Sequence, residues 1–446
     1  MQSSLMPRFV RQAETLRPSA ECLVRAVVAS CDPARLVREG WPGDFRVAGS
    51  VVLVAVGKAA PAMAAAAYEC LGDAPTEGVA VFPSGVPGTD RLAALGVEAF
   101  EADHPVPTAR NLHAAARVAA LVESMPSDGT LLLLLSGGAS AMLTLPTEGL
   151  TLDDLAAVTR ALLRAGAPID ELNAVRKHCE RLKGGGLARL ASPRLVQALI
   201  LSDVVGDRLD VIGSGPTAPD PATYAEALDV LQRRGVIDAS HTVTEHLRSG
   251  AAGRLPETLK PGDAAFVRVR NSIIGGNETA LSAAATRLAS EAFRVVAVER
   301  GVTGEADEIG RELARRIRAI PAADRPACVL LGGETTVTVG EARGIGGRNQ
   351  ELALAAAIEL DGEPGLGVLA FATDGRDGPT DAAGGFVTGT TAADARARNL
   401  DLPFALREHN SHVALDALGC LIRTGPTGTN VNDIAVGYAL CTGPGG

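Results

Sequence analysis

Glycine-rich turns after apolar runs carry the residues of this sequence that could do phosphate chemistry. Gly57-Lys58 follows one run, and Ser136-Gly137-Gly138-Ala139-Ser140 joins another run to a helical pattern. Such junctions bind anions, because unpaired N–H groups and the helix dipole point at the ligand. A solvated lysine and a tight turn that needs glycine are the simpler interpretations. Five consecutive small residues favour an anion-binding loop.

Two further turns in the first half have two interpretations each. Lys183-Gly184-Gly185-Gly186 closes a basic helical pattern, and it fits either a helix C-cap or a close approach of ligand. Asp203 follows the next apolar run, ahead of Ser214 and Gly215. It could be a Mg²⁺ ligand, since Mg²⁺ takes one or two carboxylates plus phosphate oxygens. A helix N-cap or an Asx turn is equally common.

The second half repeats the pattern. Arg348 opens a helical segment, where its charge opposes the helix dipole, so a role directed at a ligand is favoured. The densest polar loop, residues 373–384, contains three aspartates, and another loop rich in Gly, Thr and Asn spans 424–433. These turns also contain Gly333 and the polar residues Glu334, Thr335, Asn349 and Asn430.

Several catalytic motifs are absent from the sequence. It has no G-x-x-x-x-G-K-[ST] of P-loop enzymes, no G-x-G-x-x-G after a strand, no G-x-S-x-G and no H-E-x-x-H. The spacing of His409 and His412 could suit a metal, but this is the weaker interpretation, and His104 in a proline-rich turn fits a structural role. The missing glycine fingerprint argues against dinucleotide chemistry.

The elements that must position these turns alternate between strands and helices. Apolar runs without polar alternation occur at 51–57, 130–138 and 195–207, and they suit parallel strands buried on both faces. Helical patterns are predicted between them, at 108–125, 151–166 and 170–190, and an edge strand is predicted at 266–270. Both halves are therefore predicted to be α/β. A Gly/Pro-rich linker, 249–264, divides the chain into domains 1–250 and 262–446.

Composition excludes several classes of protein. Lys+Arg number 42 against 52 Asp+Glu, for a net charge of −10, and aromatics make up 3%, so general nucleic-acid binding is not expected. No apolar run reaches the roughly 18 residues of a membrane span. The N-terminal segment carries charges and proline where a signal peptide would be apolar, so a cytoplasmic location is predicted. The 7 cysteines lack metal-ligand spacing and are predicted to be packing residues.

Nine phrases occur in an order that resembles class II glycerate kinase (glycerate 2-kinase), whose C-terminal part is the MOFRL domain. The resemblance covers about residues 15–440, and its phrases are VGKAA, DHPVP, LLLLLSGGASAM, NAVRKH…LKGGGLA, SDVVGD…GSGPT, GGETTV, GRNQE, TDGRDGPTDAAG and TGPTGTNVNDI. It implies a Rossmann-like N-terminal α/β/α sandwich with a mostly parallel sheet, a C-terminal α/β MOFRL domain and an active site in the cleft between them. Thr108 departs from the family's acidic residue after HPVP.

The resemblance also implies an activity: phosphorylation of D-glycerate to 2-phosphoglycerate, with ATP and Mg²⁺ or another divalent cation. It implies that Lys58 and Arg348 carry the transfer, and we expect them to flank the γ-phosphate as fixed charges. Either Asp374 or Asp377 could take the hydroxyl proton. The expected partners are glycerate and ATP, without nucleic acid or membrane. The oligomeric state is left open, a homodimer included.

The complete set of predicted site residues follows from the turns and the resemblance together. The predicted catalytic residues are Lys58, Arg348, Asp203 and Asp377. Contacts to nucleotide or substrate are predicted for Ser136, Gly137, Gly138, Ala139, Ser140, Lys183, Ser214, Gly215, Gly333, Glu334, Thr335, Asn349, Asp374 and Asn430. The predicted metal ligands are Asp203, Asp374 and Asp381.

Two other functions remain as alternatives. The first is an NAD(P)H-dependent hydroxypyruvate reductase, a label that this family often carries, although the glycine fingerprint is missing. The second is a non-catalytic regulator that binds a sugar acid or a nucleotide. Such a regulator would not need lysine, arginine and several aspartates together at strand ends.

Overall fold

The computed structural model describes residues 6–45, 49–340, 342–363 and 365–441, without the side chains of residues 6–15. It divides into two compact units. The parallel-sheet unit is Pro33–Ile274, and the mixed-sheet unit combines the segment up to Asp32 with the chain from Gly275 onward. The first described helix, α1 (Met6–Ser30), belongs to the mixed-sheet unit.

The parallel-sheet unit alternates strands and helices, as the sequence predicts. Its elements are α2 (Pro33–Glu39), β1 (Val51–Val56), α3 (Ala60–Leu71), β2 (Thr76–Phe82), α4 (Asp90–Ala94), β3 (Val97–Glu101), α5 (Ala109–Glu123), β4 (Thr130–Leu135), α6 (Ala139–Met142), α7 (Leu152–Arg164), α8 (Ile169–Cys179), α9 (Gly186–Ala191), β5 (Leu195–Leu201), α10 (Tyr224–Arg233), α11 (His241–Ala251) and β6 (Val269–Gly275), with 3₁₀ turns at Ile212–Ser214 and Ala264–Phe266.

The sheet of this unit has the order β3-β2-β1-β4-β5-β6. The pairs β1–β2, β2–β3, β1–β4 and β4–β5 are parallel. Every residue of β1 and β4 is buried, because helices cover both faces, which is the environment that continuous apolar runs predict. The order reverses between β1 and β4, and in open parallel sheets this reversal leaves a crevice where ligands bind.

Two sequence predictions for this unit need adjustment. The helix predicted over 170–190 is two helices, α8 and α9, since Gly184 and Gly185 have φ of 53° and 80° and break it. The edge strand predicted at 266–270 is confirmed as β6 at the edge of the sheet, with later bounds.

The mixed-sheet unit contains the remaining elements. They are α12 (Asn277–Ser290), β7 (Arg294–Val302), α13 (Ala306–Arg318), β8 (Ala327–Gly333), α14 (Arg348–Glu359), β9 (Leu366–Ala372), β10 (Gly384–Thr388), α15 (Thr391–Ala397), α16 (Leu402–Arg407), α17 (Ser411–Ala417), β11 (Leu421–Ile422) and β12 (Asp433–Ala439), with a 3₁₀ turn at Ala322–Asp324. The sheet order is β11-β10-β9-β12-β8-β7. Of the five neighbouring pairs in this order, β7–β8 is parallel and the other four are antiparallel.

Strand β12 joins the last part of the chain to the centre of this sheet. It lies between β8 and β9, and its first residue, Asp433, pairs with Gly333 of β8 and with Ala372 of β9. The C-terminal ends of β8 and β9 therefore meet the start of β12 at one edge.

The structural division differs from the predicted domains 1–250 and 262–446, and hydrogen bonds explain the difference. Helix α1 is tied to the mixed-sheet unit, where Arg17 Nη2 donates to the Leu421 carbonyl over 2.9 Å. The chain after the predicted linker continues the first sheet, where Val196 N donates to the Arg268 carbonyl over 3.0 Å. The α/β class and the mostly parallel first sheet are confirmed.

The cysteines and the helix lengths agree with the composition. All 7 cysteines are free thiols, and burial raises the pKa of the Cys179 and Cys328 thiols above the ordinary value. Within the described ranges, no helix is both long and apolar enough to cross a membrane.

Candidate functional site

The turns after β1 and β4 interlock at the reversal point of the parallel-sheet unit. The backbone N–H of Lys58 donates to the Gly137 carbonyl over 2.9 Å, and Ala59 N donates to Ser136 Oγ over 3.1 Å. Gly57 has φ of 121°, and a Cβ there would lie 2.3 Å from Ser136 Oγ, so only glycine fits. These contacts fix the start of the Lys58 side chain beside the glycine loop.

The glycine loop itself offers two backbone donors. Among the described residues, none accepts a hydrogen bond from the N–H groups of Gly137 or Gly138. Gly138 has φ of 87°, and a Cβ on it would lie 3.1 Å from the His104 ring. Ala139 follows as the first, buried residue of α6. The predicted use of the Ser136 hydroxyl for ligand is not supported, because Ser136 is buried and also donates to the Val56 carbonyl over 3.3 Å.

The side chain of Lys183 is buried, contrary to the prediction that it contacts a ligand. Its side chain is 0% exposed, and its Nζ lies 2.5 Å from Glu180 Oε1. Burial, followed by the charge of Arg176, lowers the pKa of Lys183 to about 7, although Glu180 acts in the opposite direction. A ligand cannot reach this amine, so the prediction that Lys183 contacts ligand is corrected to a buried ion pair.

The three glycines after Lys183 are required by the protein's own packing. Gly185 N donates to the Gly215 carbonyl over 2.7 Å, and Gly184 N donates to the Ser214 carbonyl over 3.0 Å. A Cβ on Gly186 would lie 1.9 Å from the Arg181 carbonyl oxygen. The turn therefore packs against residues 214 and 215. This packing explains the three glycines without close approach of a ligand.

Asp203 stands at the same edge, two residues after the end of β5. It is half-buried, and the preceding Ser202 hydroxyl accepts the Val204 N–H over 3.3 Å. Because β5 runs parallel to β4 and beside it, the turn that carries Asp203 is a neighbour of the glycine loop.

In the mixed-sheet unit, Arg348 is held by two carboxylates at the edge where β8, β9 and β12 meet. Its Nη2 donates to Asp433 Oδ1 over 3.0 Å and its Nε to Oδ2 over 2.5 Å, a bidentate pair. Its Nη1 lies 2.8 Å from Glu334 Oε1. The side chain remains 32% exposed, so the guanidinium is both oriented and accessible.

The charges of this cluster perturb one another. Burial acts against the charged form of Arg348, but the hydrogen bond and charge of Asp433 outweigh it, and the pKa of Arg348 lies above its ordinary value. Burial raises the pKa of the Asp433 carboxyl, while Arg348 acts in the opposite direction. Arg348 is therefore a permanent positive charge at this edge.

Asp377 anchors the helix that carries Arg348. Its Oδ1 accepts the Asn349 N–H over 3.1 Å, and its Oδ2 accepts the Gln350 N–H over 2.8 Å. The side-chain amides of the same two residues donate to it as well. Asp377 is 1% exposed, and burial raises the pKa of its carboxyl. The predicted role as a base is corrected, since both oxygens already accept hydrogen bonds from the start of α14.

Replacing Asp377 by Asn should destabilise the fold. The isosteric amide would turn N–H groups toward backbone N–H donors, and leaving buried donors unsatisfied costs about 1–3 kcal/mol. We expect urea denaturation to show a loss of about 2 kcal/mol in the free energy of unfolding. Asp374→Asn in the same loop is the matched control, since Asp374 is half-buried and an amide oxygen can still accept the Arg376 N–H. Equal stability of the two variants would contradict the anchoring role.

The other predicted residues of this unit have distinct positions. Asn349 and Thr335 are buried, and a Cβ on Gly333 would lie 2.2 Å from the Val302 carbonyl oxygen. Asn430 and Asp374 are half-buried in adjoining loops, in which Thr427 N donates to the Asp374 carbonyl over 3.2 Å. Asp381 is exposed and pairs with Arg423 over 3.0 Å, so this surface ion pair does not support its predicted role as a metal ligand.

Two histidines contact residues at the start of α14. His409 Nδ1 lies 2.6 Å from Glu351 Oε1, and His412 Nδ1 lies 2.8 Å from Gln350 Oε1. The backbone N–H of His412 also donates to the Ile345 carbonyl over 2.9 Å. These bonds hold the turn before Arg348.

Each unit, taken by itself, carries a half-buried carboxylate at its sheet edge that could hold Mg²⁺ together with phosphate. Over the described ranges, no group of three or more His, Cys, Asp or Glu residues could hold a metal ion by itself. Mg²⁺ commonly takes one or two carboxylates and completes its shell with water and substrate phosphates. Asp203 in one unit and Asp374 in the other are half-buried carboxylates of this kind.

Comparison with known proteins identifies the family. Residues 19–248 match a family described as a domain of unknown function (DUF4147), and residues 327–433 match the MOFRL family. A D-glycerate 2-kinase from Thermotoga maritima is 41% identical over 96% of this chain and 99% of that protein. The chain belongs to the glycerate 2-kinase family.

Solved structures and further relatives agree with this membership. The crystal structure of a glycerate kinase from Thermotoga maritima aligns with a TM-score of 0.85 at 41% identity, covering 96% of this chain and 100% of that one. A protein from Agrobacterium vitis, provisionally named a hydroxypyruvate reductase, is 40% identical over 92% of this chain and 91% of that protein. Within the glycerate 2-kinase family, two names with different chemistry are thus in use.

Sequence reasoning about this glycerate 2-kinase family member missed one central residue. Asp433 ends the polar loop 424–433 and is not among the predicted site residues, although it orients Arg348. An aspartate as the first residue of a buried apolar run, IAVGYA, is the signal that could have found it, because a buried carboxylate needs a partner.

Proposed function

We propose that this protein is a D-glycerate 2-kinase, which transfers the γ-phosphoryl group of ATP to the 2-hydroxyl of D-glycerate. The main support is the geometry of Arg348, whose accessible guanidinium is held in one orientation by Asp433 and Glu334 at a sheet edge. Phosphoryl transfer has a loose transition state with charge on the phosphoryl oxygens, and fixed cations stabilise that charge. The names of the aligned relatives support the same reaction.

The parallel-sheet edge supports an anion site for the same reaction. Lys58 and the two unpaired amides of the glycine loop lie at the reversal of the strand order. Positive charge and oriented N–H groups bind phosphate or carboxylate oxygens without losing a proton. We assign Lys58 to a phosphoryl oxygen and the glycine loop to oxygens of ATP or glycerate.

The proton of the substrate hydroxyl needs an acceptor, but this acceptor need not be a strong base. In a loose transition state the attacking hydroxyl has formed little of its bond to phosphorus, so a strong base would gain little. A carboxylate of ordinary basicity therefore suffices. Both carboxylate oxygens of Asp377 accept hydrogen bonds from the start of α14, which leaves Asp374 as the other candidate in this loop. We assign the proton to Asp374.

ATP and a divalent cation are part of this proposal. Asp203 is the carboxylate that would hold Mg²⁺, which would neutralise phosphate charge when bound. The cytoplasmic location and the oligomeric state stay predictions.

Replacing Asp203 by Asn tests this assignment. Loss of one carboxylate charge should raise the Mg²⁺ concentration for half-maximal activity by about tenfold or more. Asp207→Asn is the control, because Asp207 lies in the same turn with φ of 53°, a conformation that Asn tolerates. An unchanged Mg²⁺ dependence in the Asp203 variant, with normal thermal stability, would remove Asp203 from the metal site.

The reductase alternative is favoured by the name of the Agrobacterium relative and opposed by the turn after β1. That turn reads Gly57-Lys58-Ala59-Ala60, without the glycines that let a dinucleotide pyrophosphate approach the backbone. We expect ADP release that depends on D-glycerate, and no oxidation of NADH or NADPH with hydroxypyruvate. Oxidation of the nicotinamide without ADP release would reverse the assignment.

A further inference from the structure

One polar cluster beside the glycine loop is used by neither the anion site nor the metal site. It consists of Arg176 and Asn173, one turn apart on α8, with the hydroxyls of Ser140 and Ser214. We propose that this cluster, termed the α8 cluster, binds the carboxylate of the substrate hydroxy acid. The proposal rests on the proposed function, and it names the groups that select an acid over an uncharged alcohol.

Arg176 has donors to spare at this position. Its Nη2 donates to the Ser140 carbonyl over 3.3 Å, and its Nε lies 3.8 Å from Glu180 Oε1, too far for a hydrogen bond. No other described residue accepts from its guanidinium, whose side chain is 21% exposed. A neighbouring arginine, Arg208, differs because it contacts both Asp170 and Asp210 at about 3 Å.

Beneath the loop, Arg176 shares its carboxylate partner with a second basic side chain. Glu180 Oε1 lies 3.8 Å from Arg176 Nε, and the buried amine of Lys183 pairs with the same oxygen over 2.5 Å. Two basic side chains therefore share one carboxylate. The group that is both charged and accessible is the guanidinium, so an anion at this place completes the balance.

Asn173 adds a side-chain amide donor that no described residue uses. It is 4% exposed, and its Oδ1 accepts from Ser214 Oγ over 3.2 Å. Among the described residues, none accepts from its Nδ2. Residues three apart on a helix share a face, so this amide and the guanidinium of Arg176 point to the same side of α8.

The hydroxyls have a defined direction in this arrangement. Ser214 gives its proton to Asn173, so Ser140 must donate to Ser214 across their 2.7 Å contact. The Ser140 oxygen then keeps a free lone pair, which can accept a hydroxyl proton. A guanidinium and an amide for a carboxylate, next to an acceptor for a hydroxyl, match a short hydroxy acid such as glycerate.

The test is direct binding of D-glycerate, measured by isothermal titration. We expect Arg176→Gln to weaken the Kd by about 10- to 100-fold, the loss of hydrogen bonds to a charged group. Arg164→Gln is the matched control, since Arg164 is an exposed arginine at the end of α7 in the same unit. Arg164→Gln should bind as the wild type does, and glycerol, which has no carboxylate, should bind to none of the three proteins.

Asn173→Asp is the second variant, in case Arg176→Gln fails to fold. It keeps the acceptor for Ser214 and replaces the donor by a like charge, so glycerate binding should again weaken while the melting temperature stays near that of the wild type. Unchanged glycerate affinity in a folded variant of either kind would overturn the proposal, as would a wild type that binds no glycerate. Binding that depends on Arg176 without glycerate-dependent ADP release would leave the α8 cluster standing and refute the kinase.

Discussion

Replacing Lys58 by Met is expected to lower kcat for glycerate phosphorylation by about 100- to 1000-fold, the cost of removing one preorganised charge from a transition state. The backbone of residues 57–59 is fixed by hydrogen bonds to residues 136 and 137, so the side chain is lost without a change of the turn. The KM for glycerate should change less than kcat, because the charge that Lys58 meets grows toward the transition state. Steady-state kinetics with a melting curve measure both effects.

The controls for Lys58 separate charge from folding. Lys58→Arg keeps the charge but changes its shape and should recover part of the activity. Arg91→Met removes one positive charge from an exposed position of α4 in the same unit and should leave kcat unchanged. Near-normal kcat in a folded Lys58→Met variant would exclude Lys58 from the transfer.

The second large effect is expected for Arg348→Ala, which should lower kcat by about a thousandfold or more. The guanidinium makes a bidentate pair with Asp433 and a third contact with Glu334, which gives it one orientation. Arg348→Lys should remain strongly impaired, since an ammonium cannot span both carboxylates in this geometry. Single-turnover kinetics with bound ATP would show the loss in the chemical step itself.

A matched arginine and a partner variant complete this experiment. Arg343 is exposed in the loop before α14, and Arg343→Ala should keep normal kcat. Asp433→Asn should lower kcat with little change in the KM for ATP, because it loosens the orientation of Arg348 and not the binding of nucleotide. A folded Arg348→Lys variant with wild-type kcat would contradict the account of a fixed guanidinium.

Most strands could be predicted from the sequence because their burial leaves a simple signal. The runs at 51–57 and 130–138 lack polar alternation, and the structure covers both faces of β1 and β4. The strand directions in the second half could not be predicted in this way. A fully buried antiparallel strand such as β12 has the same apolar pattern as a parallel one, and its partners are distant in sequence.

The candidate site could be predicted only in part, for a physical reason. Turn composition indicates Lys58 and Arg348. It cannot distinguish a polar group that binds a ligand from one that is paired with other residues of the protein. Lys183 and Asp377 are polar residues at such turns, and their partners Glu180 and the start of α14 become visible only in the fold. Arg176 and Asn173 are not among the predicted site residues for the opposite reason, because a helical position gives no sign of an unpaired donor.

The central claim is that the chain phosphorylates D-glycerate at its 2-hydroxyl. The most direct measurement is ³¹P NMR of the product formed from ATP, Mg²⁺ and D-glycerate, followed by addition of enolase, which dehydrates 2-phosphoglycerate but not its 3-isomer. We predict one new phosphomonoester signal that enolase converts to phosphoenolpyruvate. A phosphomonoester that resists enolase, or ATP left intact in the presence of glycerate, would contradict the assignment.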